Sequence, residues 1–410
     1  MKMLGFGWTA LALAACMADA AWGQAIDAVK GARIITVSGE TIDGGTLLIK
    51  EGRIAAVGKD VEIPADARVL DAAGKVLAPG WIEPHTSRGL DRANERVGSV
   101  PFVSVADSIN PVDPFFEDSV RKGVTAILAM PGPEGMIGGR GVIVRPSGVT
   151  IEEMVMARDA AMKLSLAPGQ GRSKMAHVAA LRKEFDDIKD YLASLKEKKE
   201  LPASATPAKV RELDAKRKPM ADLIEGKLPV VIYCPDDGDI VRAQELAATY
   251  GLKALYVVGP TAWRAASFVK RHDLPVVLDS NLVYWETDEK TLQQVRRVVP
   301  KFFHDAGVTF ALQTGVGGAV SEMWFQVATC VKYGIPREAA LRAATLVPAR
   351  WIGLGDRLGS IEKGKDATFQ ILSGDPLDVS TWVEKVVIEG RVVYEREKDR
   401  KLRRLLGAPE

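Results

Sequence analysis

The stretch Val76-Leu77-Ala78-Pro79-Gly80-Trp81-Ile82-Glu83-Pro84-His85-Thr86-Ser87 is an apolar run broken once by Pro-Gly and ending in polar residues. Val76 to Ile82 reads as a strand buried on both faces, which delivers His85 and Ser87 at its C-terminal end. Runs of the same kind recur downstream at Val124 to Met130, Pro229 to Tyr233, Ala254 to Val258, Pro275 to Leu278 and Val308 to Leu312. Helix-like segments, among them Ala262 to Arg271 and Leu292 to Ala306, precede some of them. Continuous apolar strands alternating with helices mean a parallel sheet covered on both faces. For a chain of 410 residues, 47% of them hydrophobic, the closed solution is an α/β fold of the (β/α)8 TIM-like barrel type spanning 78–354.

Outside that region the pattern changes to short β. Ala32 to Val37, Thr46 to Lys50 and Arg53 to Val57 form hairpins around the Glu51-Gly52 turn. The same pattern returns in Ala367 to Leu372, Val383 to Ile388 and Arg391 to Tyr394 around Glu389-Gly390. Segments 25–77 and 355–400 are therefore expected to build one small β-sandwich domain from both ends of the chain.

Residues 1–23 open with Lys2, continue through the apolar stretch Leu4 to Ala15, and end in small residues around Ala18, Ala20, Ala21 and Gly23. This is the pattern of a signal peptide, too short to span a bilayer. Ala21-Trp22-Gly23 before Gln24 suits ordinary cleavage, to which the reading leans slightly. Leu13-Ala14-Ala15-Cys16 suits a lipobox, with lipidation at Cys16 as the route to a membrane. Export to the periplasm or envelope is the expectation either way. Lys and Arg total 55 against 53 for Asp and Glu, a formal charge of +2 without a basic block, which argues against nucleic acid as a partner.

Residues 180–226 are highly charged, including Lys196-Glu197-Lys198-Lys199-Glu200, and break between Pro202 and Pro207; they read as a solvated helical hairpin inserted in the barrel. The run Pro131 to Gly148 holds Gly138-Gly139-Arg140-Gly141 but lacks the Lys-Ser/Thr ending of a phosphate loop, and reads as a loop after a strand. Cys234 and Cys330 are the two cysteines beyond the leader, and isolated cysteines are more often small buried hydrophobes than a bridge. The four histidines, His85, His177, His272 and His304, include no pair at i+2, i+3 or i+4. His272 and His304 suit helix C-termini, and His177 a surface helix.

The segment from Val76 to Ser87 resembles the amidohydrolase superfamily signature, in which the strand after Pro-Gly delivers Asp-x-His-x-His to a metal site. Pro348-Ala349-Arg350-Trp351-Ile352-Gly353-Leu354 through Leu358-Gly359-Ser360-Ile361-Glu362-Lys363-Gly364-Lys365-Asp366-Ala367 is similar to the family's return from the last barrel helix into its sheet domain. With Gly138-Gly139-x-Gly141, these features point to the imidazolonepropionase-like branch. The resemblance implies a divalent metal such as zinc and hydrolysis of carbon–nitrogen bonds. His-x-His on a strand puts two imidazoles on one face, where they grip an ion. Here the second position is Ser87. Tyr233 and Pro235 fall where the resemblance implies histidines on the fifth strand, Val258 where it implies one on the sixth, and Gly315 where it implies the aspartate of the eighth.

The expectation is therefore a protein with the family's fold and without its metal or any other cofactor. It would be a pseudo-hydrolase that binds a small molecule, forms a homo-oligomer or pairs with an active relative. The candidate pocket comprises His85, Ser87, Tyr233, Cys234, Asp236 and Asp237. The alternative is a hydrolase of carbon–nitrogen bonds, in cyclic amides or a dipeptide, that uses rearranged ligands such as His85, Asp236, Asp237 or Glu83. A metal-free version would use Asp236 or His85 to activate water, or attack by Cys234.

Overall fold

At Gly80 the opening stretch divides: Val76–Pro79 joins one sheet and Trp81–Thr86 begins another. A Cβ on Gly80 would lie 2.2 Å from the Thr125 side chain, so the chain passes between the two sheets only where a side chain is missing. The computed structural model describes residues 24–407 apart from 96, 170, 200–213, 289 and 316–321. Residues 1–23, on which the signal-peptide and lipobox expectations fall, lie outside the described residues, as do Glu200 and Pro202 to Pro207 of the charged segment. Among the described residues no helix is long and apolar enough to cross a membrane.

The barrel strands are β1 (Trp81–Thr86), β2 (Val124–Ala129), β3 (Ile137–Val144), β4 (Val155–Ser165), β5 (Val230–Cys234), β6 (Ala254–Val258), β7 (Val276–Leu278) and β8 (Phe310–Ala311). They form one eight-stranded sheet in sequence order. Neighbours run parallel except at β3, which is antiparallel to both β2 and β4. The seam between β8 and β1 is bridged by a turn: Leu312 N–H donates to Ala343 O at 2.9 Å and Ile82 N–H to Ala344 O at 3.0 Å. The result is a TIM-like barrel with one reversed strand. Along its strands the apolar residues alternate between two cores. Ala126, Leu128, Val231, Val257, Val277 and Ala311 fill the interior, whereas Ile127, Leu164, Ile232, Cys234, Val258 and Leu278 face the helices.

Two local expectations are corrected, and one strand is new. The Gly-rich run is not simply a loop, because it contains β3. Its glycines serve close approach: a Cβ on Gly139 would lie 2.6 Å from Val103 O, and one on Gly141 2.0 Å from Met130 Sδ. Leu292 to Ala306 is not one helix; Gln294–Val298 pairs with Val283–Thr287 as a hairpin, and a helix begins at Val299 with Pro300 in its first turn. The strand carrying Lys163, β4, had no counterpart in the sequence reading.

Helix α1 (Pro114–Arg121) is started by Asp113, whose side chain accepts from Phe115 N–H, and by Pro114. Within the charged segment run α2 (Lys174–Lys199) and α3 (Lys218–Ile224). Leu181, Phe185 and Ile188 are buried at helical spacing on α2, so this helix packs one face into the protein and leaves Arg182, Lys183, Asp186 and Asp187 exposed. His177 is buried on it too, and donates from Nε2 to Ser165 O at 2.8 Å; the surface reading of that histidine is overturned. Helix α4 (Asp237–Tyr250) follows β5 and ends at Gly251 in the left-handed conformation.

Both ends of the chain build the second sheet, which has nine strands. Its path runs Gln24–Ala25, Arg391–Glu395, Val383–Ile388, Phe369–Leu372, Val76–Pro79, Ala28–Ile34, Ile42–Lys50 and Arg53–Gly58, with Val69–Asp71 beside Ala28–Ile34. The sheet folds over a single core in which Ile49 and Ile54 meet Ile361, Phe369 and Val387. A bridge from Arg53 to Asp366 draws its far edge back.

Substituting Gly80→Ala should lower stability by about 2 kcal/mol or more, because its methyl overlaps Thr125 and neither sheet can retreat without loss. Thermal denaturation of the variant checks this; an unchanged melting temperature would show that the junction has slack.

Candidate functional site

Alternation along the strands aims particular side chains into the barrel mouth, at the C-terminal ends where this architecture places its sites. Lys163, two residues beyond interior Ala161 on β4 and paired in register with interior Val231, points inward and is fully buried. Its Nζ lies 2.7 Å from His85 Nε2 on β1 and 5.4 Å from the centre of the Tyr233 ring on β5. On the other side of the imidazole, His85 Nδ1 lies 3.0 Å from Gln313 Oε1, just past β8. An amide oxygen can only accept, so Nδ1 carries the hydrogen and the Nε2 lone pair receives Lys163. Three strands are thus tied across the barrel by a chain of hydrogen bonds from amine to imidazole to amide.

Burial dominates the electrostatics. It lowers the Lys163 amine from 10.5 to about 7, because among the described residues no carboxylate pairs with it to repay desolvation. His85 is held well below the ordinary histidine value, first by burial and then by the Lys163 charge, and is therefore neutral. Glu83, at the seam, accepts from Thr314 N–H at 2.9 Å and Thr314 Oγ1 at 2.6 Å, both on Oε2. Its Oε1 is buried with no partner among the described residues, and burial raises the carboxyl to about 7 against the pull of the Thr314 hydrogen bonds. Asp279, just past β7, is also raised by burial. The Tyr233 phenol is pushed up by burial and then by the Asp279 charge.

Of the residues singled out in the sequence, His85 and Tyr233 meet, through Lys163. Ser87 is buried nearby, with its Oγ lacking any partner among the described residues. Cys234 is not in the mouth: it packs in the layer between strands and helices, fully buried, with its thiol pushed well above the usual range by desolvation. A thiol in that state is a poor nucleophile. Asp236 is the N-cap of α4 and pairs with Lys174 at 2.6 Å, while Lys174 also holds Asp239 at 2.9 Å. Asp237 begins the same helix. These carboxylates belong to a helix start and do not join His85. Val258 likewise faces the helices, and Gly315, at φ 79°, abuts Ser280. The inward side chain at the end of β8 is Gln313.

Sequence reasoning missed Lys163, Gln313 and Asp279, and named Glu83 only as an alternative ligand. One signal was present: Lys163 is the lone charge within Ala160-Ala161-Met162-Lys163-Leu164-Ser165. A charged residue at one alternating position of an apolar strand is either exposed or functionally placed.

The donor set does not fit a divalent metal. Both nitrogens of His85 are engaged, the adjoining groups are an amine, a phenol held above its usual range and an amide, and Pro235 offers no donor. Among the described residues no three His, Cys, Asp or Glu side chains converge as ligands would.

Barrel, companion sheet built from both chain ends and polar mouth together define an amidohydrolase-type architecture. The amidohydrolase family model matches residues 249–393. An imidazolonepropionase of Acidiphilium cryptum is 26% identical over 86% of this chain and 93% of its own length. Amidohydrolase tasK of Hapsidospora irregularis is 22% identical over 86% of this chain, which spans only 40% of tasK. The crystal structure of an amidohydrolase from Thermotoga maritima superposes with a TM-score of 0.80 and 26% identity, covering 90% of this chain and 100% of that one. The chain belongs to the amidohydrolase superfamily and is imidazolonepropionase-like within it.

The two buried groups impose opposite pH dependences. The folded chain holds Lys163 near 7 while unfolded lysine titrates near 10.5, so the cost of burying it grows as pH falls from 10.5 to 7 and is complete below. Glu83, near 7 when folded against 4.5 unfolded, costs nothing below 4.5 and its full amount above 7. Lys163→Met should therefore raise the melting temperature most at pH 6–7 and least near pH 10, and Glu83→Gln most above pH 7 and least near pH 4.5. Melting curves across pH check both, and flat differences would mean that neither group is buried in the ionisable state described.

Proposed function

We propose that this chain is an exported member of the superfamily that has given up metal-assisted hydrolysis and serves as a small-molecule-binding or partner subunit. The contact of Lys163 Nζ with His85 Nε2 at 2.7 Å carries this reading. The imidazole lone pair that a metal would need is occupied by an amine, and the protonated form of that amine repels a cation. Ser87 and Pro235 add no firm ligand. Tyr233 and Asp279, partly exposed above the buried Lys163, give a ligand polar groups to meet at the mouth. Association with a second copy or with an active relative is part of the same reading. Export rests on the composition of residues 1–23.

A second reading, hydrolysis of carbon–nitrogen bonds in cyclic amides or a dipeptide without a metal, is favoured by Glu83. A buried carboxyl with one unpartnered oxygen and a pKa of about 7 can take or give a proton in the neutral range. The imidazolonepropionase relative lends this reading its substrate class by analogy alone.

Elemental analysis after incubation with zinc, manganese and iron and removal of loose ions separates a metal centre from its replacement. The expected result is far less than one ion per chain; about one tightly held ion would overturn the first reading. Expressed in a bacterium with two membranes, the protein should be recovered from the periplasm or envelope without its first residues, starting at Gln24 or at a lipidated Cys16. Recovery from the cytoplasm with Met1 or Lys2 intact would remove the export claim.

A further inference from the structure

We infer a second ligand site, for a small aromatic carboxylate, in the cleft between the sheet domain and the base of the barrel, lined by Trp81, Trp324, Trp382, Gln370 and Arg396. The cleft encloses about 150 Å3, the size of a single six-membered ring. Three indoles at one small cavity is an unusual concentration in a chain with 8 tryptophans in 410 residues. Trp81 is almost wholly buried, but Trp382 remains 47% exposed, which leaves an aromatic face for a planar ligand.

One polar group at the cleft selects the chemistry. Gln370 is fully buried in strand Phe369–Leu372, its Nε2 donating to Pro79 O at 3.0 Å, and its Oε1 is packed against Gly123. Arg396 is half-buried with its guanidinium centred 5.0 Å from the Trp382 ring, and among the described residues it makes no ion pair or side-chain hydrogen bond. A guanidinium stacked on an indole, with its N–H fork unused, is suited to a carboxylate. The other charges at the cleft are already matched: Arg121 holds Asp399 at 2.6 Å, and Lys122 holds Glu322 at 2.9 Å. An aromatic ring bearing a carboxylate therefore meets the indoles and Arg396.

This site is separate from the barrel mouth, because Trp81 begins β1 and His85 lies four residues on, about 13 Å along an extended strand. The probe is 4-hydroxyphenylacetate, added to the full-length mature protein and followed by calorimetry and tryptophan fluorescence. One saturable site per chain is expected, weakened about tenfold or more in Arg396→Ala and in Trp382→Ala and unchanged in Lys163→Met. 2-(4-Hydroxyphenyl)ethanol, which lacks the carboxylate, should bind about tenfold more weakly than the acid. Absence of saturable binding, binding indifferent to both cleft substitutions, or binding abolished by Lys163→Met would each overturn the assignment. Circular dichroism of Arg396→Ala and Trp382→Ala establishes that loss of binding is not loss of fold.

Discussion

A lysine amine closed inside an apolar barrel with no carboxylate beside it is the constraint around which the mouth is arranged. Desolvation costs the charged form dearly, and what offsets it is one acceptor, the Nε2 lone pair of His85. That acceptor exists only if the imidazole is neutral and protonated on Nδ1, which Gln313 secures from the far side. Lysine, histidine and glutamine are therefore a single unit spanning β4, β1 and the end of β8. The same unit engages both nitrogens of His85.

The two halves of the molecule are joined by charges where the mouth avoids them. Arg121 at the end of α1 holds the buried Asp399 near the C-terminus, and this neighbour keeps the Asp399 carboxyl at about 2 despite its burial. Arg145, after β3, reaches Glu389 in the sheet domain at 2.8 Å, and Arg357 bridges Glu389 and Asp366. Guanidinium groups form such networks readily because their planar forks meet two carboxylates at once. The tryptophan-lined cleft opens at this same boundary, where the indoles of Trp81 and Trp324 come from the barrel side and Trp382 from the sheet side.

Much of the architecture was legible because apolar strands and hairpin turns are local signals. The bounds of Ala254–Val258 and Val383–Ile388 match their sequence reading residue for residue. The misreadings occurred where long-range contact overrode a local rule. Gly138, Gly139 and Gly141 looked like a loop because glycine favours turns, yet they are strand residues whose missing side chains admit Lys163, Val103 and Met130. The charged segment looked solvated because its apolar residues are sparse, yet Leu181, Phe185 and Ile188 suffice to dock one face of a long helix.

The sequence by itself determined that a Pro-Gly-broken apolar strand begins a barrel, that both chain ends share a sheet, and that the four histidines include no pair at i+2, i+3 or i+4. These are matters of composition, period and spacing, which a linear reading contains. The tertiary structure alone decided which side chains surround His85. A strand's alternation settles which residues share a face, but the face that turns inward depends on register with neighbours far away in sequence. That is why Cys234 and Val258 turn to the helices, Asp236 caps one, and Lys163 and Gln313, separated by most of the barrel, close on either side of His85.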